Sequence, residues 1–225
     1  RVAVVHDPVA PVAPGLAARW RRLAPDLIGT YVRAERAAGQ VHALRKSERL
    51  QQALYEISDL SGSQLDMGEM LARIHAVVAS LMSAENFYIV LYDGSRQVLR
   101  FLYFVDQIDP WQCDPEEEIP LECMPASLTV AMLRDGKAHR GSSESIRVAL
   151  QVPHDSSQGP DSAAWLGVPM HRDGAVSGAI VVQNYDRDHS YSDEERAMLE
   201  YVAQHILTAV DRRQARGERE RRVQG

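Results

Sequence analysis

Phe87-Tyr88-Ile89-Val90-Leu91-Tyr92, followed by Asp93-Gly94-Ser95, is an aromatic and β-branched run that stops at turn residues, so it reads as a strand entering a hairpin. Val98 to Val105 is the returning strand. A second hairpin is predicted further on: residues 164–170, the turn His171-Arg172-Asp173-Gly174 with an Asp-Gly pair suited to positive φ, and the return strand Ala175 to Asn184. Between the two hairpins, residues 106–163 hold nine of the chain's proline, cysteine and tryptophan residues in irregular order, with one helix predicted at 127–135 and ended by Gly136. A stretch of that length with so little regular structure is either functional or disordered. Above a sheet, such a covering segment is built to enclose something small.

Helical patterns flank the meander. After Pro8, Pro11 and Pro14, the residues Leu16, Trp20 and Leu23 recur at helical spacing until Pro25 interrupts them. A long helix is predicted over 26–60, with Val41, Leu44, Leu50, Leu54, Ile57 and Leu60 forming a narrow apolar seam of the kind through which helices associate. Ser61-Gly62-Ser63 ends it. The next helix, 67–82, carries Met70, Leu71, Ile74, Val77, Val78 and Leu81 on one face and belongs to a core. Ser192 and Glu195 form a capping box that opens the last helix, whose stripe is Met198, Leu199, Val202, Ile206, Ala209 and Val210. Residues 211–222 contain six arginines, three acids and no large apolar side chain, which reads either as a frayed, solvated end or as a helix leading into a downstream domain. The expected organisation is a Pro-rich and helical segment at 1–25, a linker helix at 26–60, a compact domain at 61–210 and a helix at 211–225 that leads to an output domain.

With 225 residues, 45% of them hydrophobic, the chain can bury a substantial core. No apolar run approaches the ~20 residues that a membrane helix needs. A formal charge of -6 argues against a general nucleic-acid binder, which needs a basic face to displace counterions. Two cysteines in a chain without a secretory signal pattern point to a reducing, cytoplasmic setting.

Helix, hairpin, long insertion with a helix, second hairpin and capped terminal helix together resemble a GAF domain. The segments that carry the resemblance are Ala84-Glu85-Asn86-Phe87-Tyr88, Tyr103-Phe104-Val105-Asp106, Trp165-Leu166-Gly167-Val168-Pro169, the helix entry Tyr191-Ser192-Asp193-Glu194-Glu195, and Tyr201-Val202-Ala203-Gln204-His205-Ile206. They are similar to the sensory modules of bacterial signalling proteins found upstream of GGDEF cyclase/EAL or histidine kinase domains, and the likeness covers residues 50–213. It implies an α+β fold: a central antiparallel sheet of about six strands, helices packed on one face, a ligand site under loops on the other, and long signalling helices at both ends. Four strands are read directly, so two short ones are expected around 138–140 and near Ile119. The resemblance implies a non-catalytic module that binds a small molecule and relays its presence through dimeric flanking helices.

The chemistry narrows the ligand. The cyclic-nucleotide-binding branch of this family carries an Asn-Lys pair and a Phe before Asp-Glu; here Asn184 is followed by Tyr185, and Tyr191 replaces the phenylalanine. The lysine–carboxylate pairing of that branch therefore cannot form. Residues 106–122 carry seven acids (Asp106, Asp109, Asp114, Glu116, Glu117, Glu118, Glu122) and no lysine or arginine, a loop that repels phosphate unless Arg134, Lys137, Arg140 or Arg147 folds over it. The plainer reading is a solvated acidic loop. Ligand-binding candidates are Trp111, Tyr103, Met124, Tyr88, Leu128 and Trp165, with Phe101 and Trp165 read mainly as core and Trp111, lacking local core, as a lid. Cys113 and Cys123 are the candidate redox pair, although acidic neighbours raise a thiol pKa and oppose nucleophilic use. The histidines show no metal-site spacing, and no catalytic residue or cofactor is assigned. The expected partners are an unidentified small molecule and a second copy of the chain. Two alternatives stand beside the sensor: a redox enzyme like the free methionine sulfoxide reductases, and a ligand-free dimerisation module.

Overall fold

A computed structural model of the chain describes residues 14–155 and 159–224. The Pro-rich start through residue 13 lies outside them. The chain divides into two units, one ending at Glu48 and one beginning at Arg49. The described part of the first unit is helical and belongs to α1 (Pro14–Gly62). The sequence pattern predicted a break at Pro25, but α1 runs through it. A proline removes one backbone donor, and the Ala, Leu and Arg residues around it are strong helix formers that sustain the neighbouring turns. Within this unit Ile28, Tyr31, Val41 and Leu44 are exposed.

The second unit is built on a six-stranded antiparallel sheet in the order β3-β2-β1-β6-β5-β4. β1 (Asn86–Asp93) and β2 (Val98–Val105) form the first hairpin, and β5 (Ala164–Arg172) and β6 (Ala175–Asn184) the second. The hairpins join through β1 and β6, with Ile89 opposite Ile180. The two short strands expected from the resemblance are edge strands, β3 (Ile119–Pro120) and β4 (His139–Gly141).

Alternation along the strands creates two cores. Phe87, Ile89, Leu166, Val168, Ile180 and Val182 face the long helices. Against them pack α2 (Met67–Leu81), α5 (Asp193–Gln224) and the end of α1, where Ala53 and Ile57 are buried and Leu50, Leu54 and Leu60 line up beside them. The lower half of the α1 seam, assigned by sequence to a linker helix, is thus core of the second unit. Met70, Leu71, Ile74, Val77 and Val78 form the buried face of α2, each burial contributing about 2 kcal/mol. The opposite sheet face carries Tyr88, Val90, Leu99, Phe101, Trp165, Ala179 and Val181. It is roofed by the 106–163 insertion.

The insertion is more ordered than its sequence indicated. Besides α3 (Leu128–Asp135), capped by Ser127 and ended by left-handed Gly136, it holds a second helix, α4 (Ser143–Leu150). The long helices pack on one sheet face as expected, and α3 and α4 belong to the roof over the other. The overlooked signal was Ser142, whose side chain accepts the Ser145 N–H as an N-cap. The capping box of α5 forms as read: Ser192 Oγ accepts the Glu195 N–H at 3.1 Å and Glu195 Oε2 accepts the Ser192 N–H at 2.7 Å. The basic tail continues as helix to Gln224 and is partly docked: Arg172 pairs with Asp211, Arg216 donates to Ser63 O at 3.3 Å and to Gln64 Oε1 at 2.7 Å, and Arg212 reaches Ser61 Oγ at 3.5 Å.

One irregularity decides which aromatic residues reach the roofed face. β2 pairs Tyr103 with Ile89 but Phe101 with Val90, so Leu102 is an extra residue, a β-bulge. Before it, Leu99 and Phe101 face the insertion; after it, Phe104 does. Leu102 and Tyr103 both turn toward the helices.

Candidate functional site

The strands supply the floor of a cavity of about 460 Å³, with Tyr88, Phe101, Phe104, Trp165 and Gln183 rising from the sheet. The insertion supplies the roof through Asp109, Trp111, Met124, the first turn of α3, Arg147 and Asp161. A volume of this size accommodates a small organic molecule.

Of the residues singled out by sequence, Trp111, Met124, Tyr88, Leu128 and Trp165 line this cavity, and Tyr103 does not. Strict alternation puts Tyr103 on the same side as Phe101; the bulge at Leu102 reverses it. Its hydroxyl instead donates to His75 Nδ1 at 3.1 Å, while His75 Nε2 donates to Ala84 O at 2.6 Å and the imidazole stacks on Phe87. Tyr103 thus belongs to the helix-side core.

Trp111 does have neighbours. Although 39% exposed, it meets Phe101 and Phe104 edge to face, with centroids 5.0 and 5.1 Å away. Tyr88 lies 5.7 Å from both phenylalanines, which completes a four-ring wall. Trp165 is buried and lies against Gly167, where a Cβ would sit 2.0 Å from its ring. Glycine two residues from the tryptophan therefore lets the indole lie down on the strand. Tyr88 Oη shares a 2.9 Å hydrogen bond with Thr129 Oγ1, and burial pushes its phenol up to about 12, so it remains neutral.

Three charged side chains line the cavity: Asp109, Arg147 and Asp161. Arg147 is the residue that sequence reasoning undervalued. Only 9% exposed, it donates to Asp161 Oδ1 through Nε and Nη2 at 3.1 and 3.0 Å, and through Nη1 to Ala126 O at 2.7 Å and Pro153 O at 2.9 Å. Asp161 is also paired with His154 at 3.0 Å. Arg147 is committed to tying α4 to Ala126, before α3, and to Pro153 and Asp161. Arg140 instead holds the start of α5, bonding Asp193 and Tyr191 O. Arg134 and Lys137 are exposed and away from the cavity lining.

The acidic loop does not line the cavity as a sheet of charge. Asp109 alone of its seven acids borders the cavity among the described residues. Glu118 is paired with Arg96 at 2.5 Å, and Glu116 with Arg100 at 3.8 Å. Asp114 accepts the Glu116 N–H. Asp106 is a hub: Oδ1 accepts the Ile108 and Asp109 N–H groups at 2.8 and 2.9 Å, and Oδ2 accepts from Gln183 Nε2 at 2.6 Å and Tyr185 Oη at 2.8 Å.

The remaining candidates are placed as follows. Tyr185 and Tyr191, which occupy the cyclic-nucleotide signature positions, donate to Asp106 and to Ser83 O, and neither borders the cavity. Both phenols are pushed well above the ordinary range, chiefly by burial. Cys113 and Cys123 are free thiols. Cys123 borders the cavity; Cys113 is half-buried beside it, its thiol pushed up first by burial and further by Asp114, which disfavours the thiolate. Among the described residues no cluster of histidine, cysteine and carboxylate side chains is arranged for a metal ion, and no helix is long and apolar enough to cross a membrane.

An antiparallel sheet with its long helices on one face and a roofed aromatic cavity on the other defines an α+β domain. The family model of the GAF domain matches residues 64–211, and the chain belongs to that family. The solved GAF domain of a phosphoenolpyruvate-protein phosphotransferase (ptsP) from Coxiella burnetii is similar in fold at a TM-score of 0.59 and 14% identity, covering 76% of this chain and 98% of that one. The corresponding domain from Acinetobacter gives 0.54 and 17%, covering 73% and 94%. A free methionine-R-sulfoxide reductase from Neisseria meningitidis, solved with its substrate, gives 0.50 and 17%, covering 74% and 90%. No curated protein sequence matches the chain.

Proposed function

We propose that this GAF domain is a regulatory sensor of a bacterial signalling protein. It binds a small molecule in the aromatic cavity and relays the binding through dimeric flanking helices to an output domain of the diguanylate cyclase/phosphodiesterase or histidine kinase type. The observation that carries the reading is the cavity itself: about 460 Å³, floored by the sheet and walled by five aromatic side chains, where a domain serving only to dimerise would fill the space with its own side chains. Exposed Val41 and Leu44 on α1, and Tyr201 on α5, support association through the helices. Two free thiols suit a cytoplasmic setting. Native mass spectrometry of protein purified from its own host tests the reading. A retained small molecule that is lost from a Trp111→Ala variant supports it; a bare chain mass at every preparation favours the ligand-free dimerisation module.

A second reading draws on Cys123, a thiol on the cavity wall. If the cavity reduces free methionine sulfoxide, turnover by the wild type disappears in Cys123→Ser. Absence of turnover in the wild type removes this reading and leaves the sensor untouched.

A further inference from the structure

The charge and ring content of the cavity wall define the class of molecule that fits. Two carboxylates, Asp109 and Asp161, face one guanidinium, Arg147. Arg147 is already neutralised by Asp161 and bound to two backbone carbonyls, so it has no charge left for an anionic guest. Asp109 is in the opposite position. Its Oδ1 accepts the Trp111 N–H at 3.0 Å, and among the described residues no cationic side chain lies within ion-pair distance of it. Asp106 does not border the cavity, and its carboxylate is taken up by the Ile108 and Asp109 amides, Gln183 and Tyr185.

The rings add to this field. Tyr88, Phe101, Phe104 and Trp111 stand with neighbouring centroids 5.0 to 6.0 Å apart, and Asp109 borders the same cavity, two residues from Trp111, whose backbone N–H it accepts. Aromatic faces attract a cation through the ring quadrupole, most strongly where water is partly excluded. Two helix N-termini border the lining, those of α3 and α4. The Val130 and Ser145 N–H groups are already taken by Ser127 Oγ and Ser142 Oγ and that of Ser143 by Ser162 O, which leaves these ends little to offer an anion.

We propose that the cavity takes a small organic cation with an apolar body, an alkyl- or arylammonium, with Asp109 as its counter-ion and the Trp111–Phe101–Phe104 wall as its cation–π surface. The proposal rests on the sensor reading and names its ligand class.

The test titrates the wild-type chain by tryptophan fluorescence with three probes of similar shape: benzyltrimethylammonium chloride, benzyl alcohol and phenyl phosphate. The cation is expected to bind at least about ten-fold more tightly than either of the others. Asp109→Asn should cost about ten-fold in cation affinity and leave benzyl alcohol unchanged, and Trp111→Leu should weaken the cation more than the alcohol. Equal or tighter binding of benzyl alcohol or phenyl phosphate by the wild type overturns the cation assignment and leaves a ligand-binding cavity standing. A neutral or anionic molecule in the native mass spectrum has the same effect. Failure of all three probes to bind, together with a bare native mass, removes the sensor reading as well. The wild-type series decides the matter even if a variant fails to fold.

Discussion

Asp106→Ala perturbs the structure at one point and is read out at three. The carboxylate accepts four hydrogen bonds: two from the Ile108 and Asp109 amides, which shape the start of the insertion, and two from Gln183 and Tyr185, which bind that start to the end of β6. The two local amides sit near solvent and recover water when the acceptor is lost, so they contribute about 0.5 kcal/mol each. The two side-chain donors are half-buried and bond to a charge, worth about 1 kcal/mol each after allowance for partial exposure. Asp106→Ala should therefore lose about 3 kcal/mol. Asp106→Asn, which keeps one acceptor oxygen for the turn amides, should lose about half of that. Urea denaturation followed by far-UV circular dichroism measures both, and a double-mutant cycle with Tyr185→Phe isolates the long-range bond, with an expected coupling of about 1 kcal/mol. Because Asp109 and Trp111 follow directly on the turn, Asp106→Ala should also change the tryptophan emission of the folded protein. A loss below about 0.5 kcal/mol, or a cycle with no coupling, refutes the idea that this carboxylate pins the roof to the sheet.

Other substitutions probe other joints. Arg147→Met removes the donor that Asp161 Oδ1 and the Ala126 and Pro153 carbonyls share, leaving Asp161 with His154, and should cost about 3 kcal/mol, part of it regained in Arg147→Met with Asp161→Leu; thermal unfolding compares the two. Gly167→Ala places a Cβ 2.0 Å from the Trp165 ring and 2.7 Å from Met132 Sδ, so the indole must lift into the cavity; a destabilisation of about 2 kcal/mol and weaker probe binding are expected in denaturation and fluorescence titrations. The phenols of Tyr88, Tyr185 and Tyr191 are all raised above 10.0, so the folded state holds protons that the unfolded state releases. Their stabilisation is complete below pH 10 and drains away as pH rises from 10 toward and beyond the 12 of Tyr88, after an earlier fall from the raised Cys113 thiol; in Cys113→Ser, urea midpoints should be level up to about pH 9 and fall above it, less steeply with Tyr88→Phe added.

The four long strands could be read from sequence because each is bounded by turn chemistry, and the α5 start because Ser192 and Glu195 satisfy each other's backbone groups locally. The edge strands are two and three residues long, too short to show a period, and were expected only through the family resemblance. α4 escaped notice because its buried face is small, resting on Ser143, Ile146 and Arg147 rather than on an apolar stripe. Tyr88, Phe101 and Trp165 were legible as bulky residues on converging strands, whereas Phe104, which the bulge turns to the cavity, was not. Tyr103 was misplaced because a bulge leaves no local mark: its cause is the registry of β2 with its neighbour. The roles of Arg147 and the seven acids were hidden for a related reason. A charge shows in the sequence, but whether it is spent on a partner is decided by residues such as Asp161, Arg96 and Tyr185 that meet it only after folding.

The docked arginines of α5 have a mechanical consequence. Arg216 and Arg212 fasten the far part of that helix to Ser61, Ser63 and Gln64, the corner between α1 and α2. The far part of α5 thus meets the corner between α1 and α2 in polar contacts that water can replace at little cost. Such contacts open at less cost than the apolar packing of Ile57, Val202 and Ile206 beside them, so Arg216→Ala is predicted to loosen the far part of α5 and leave the core intact.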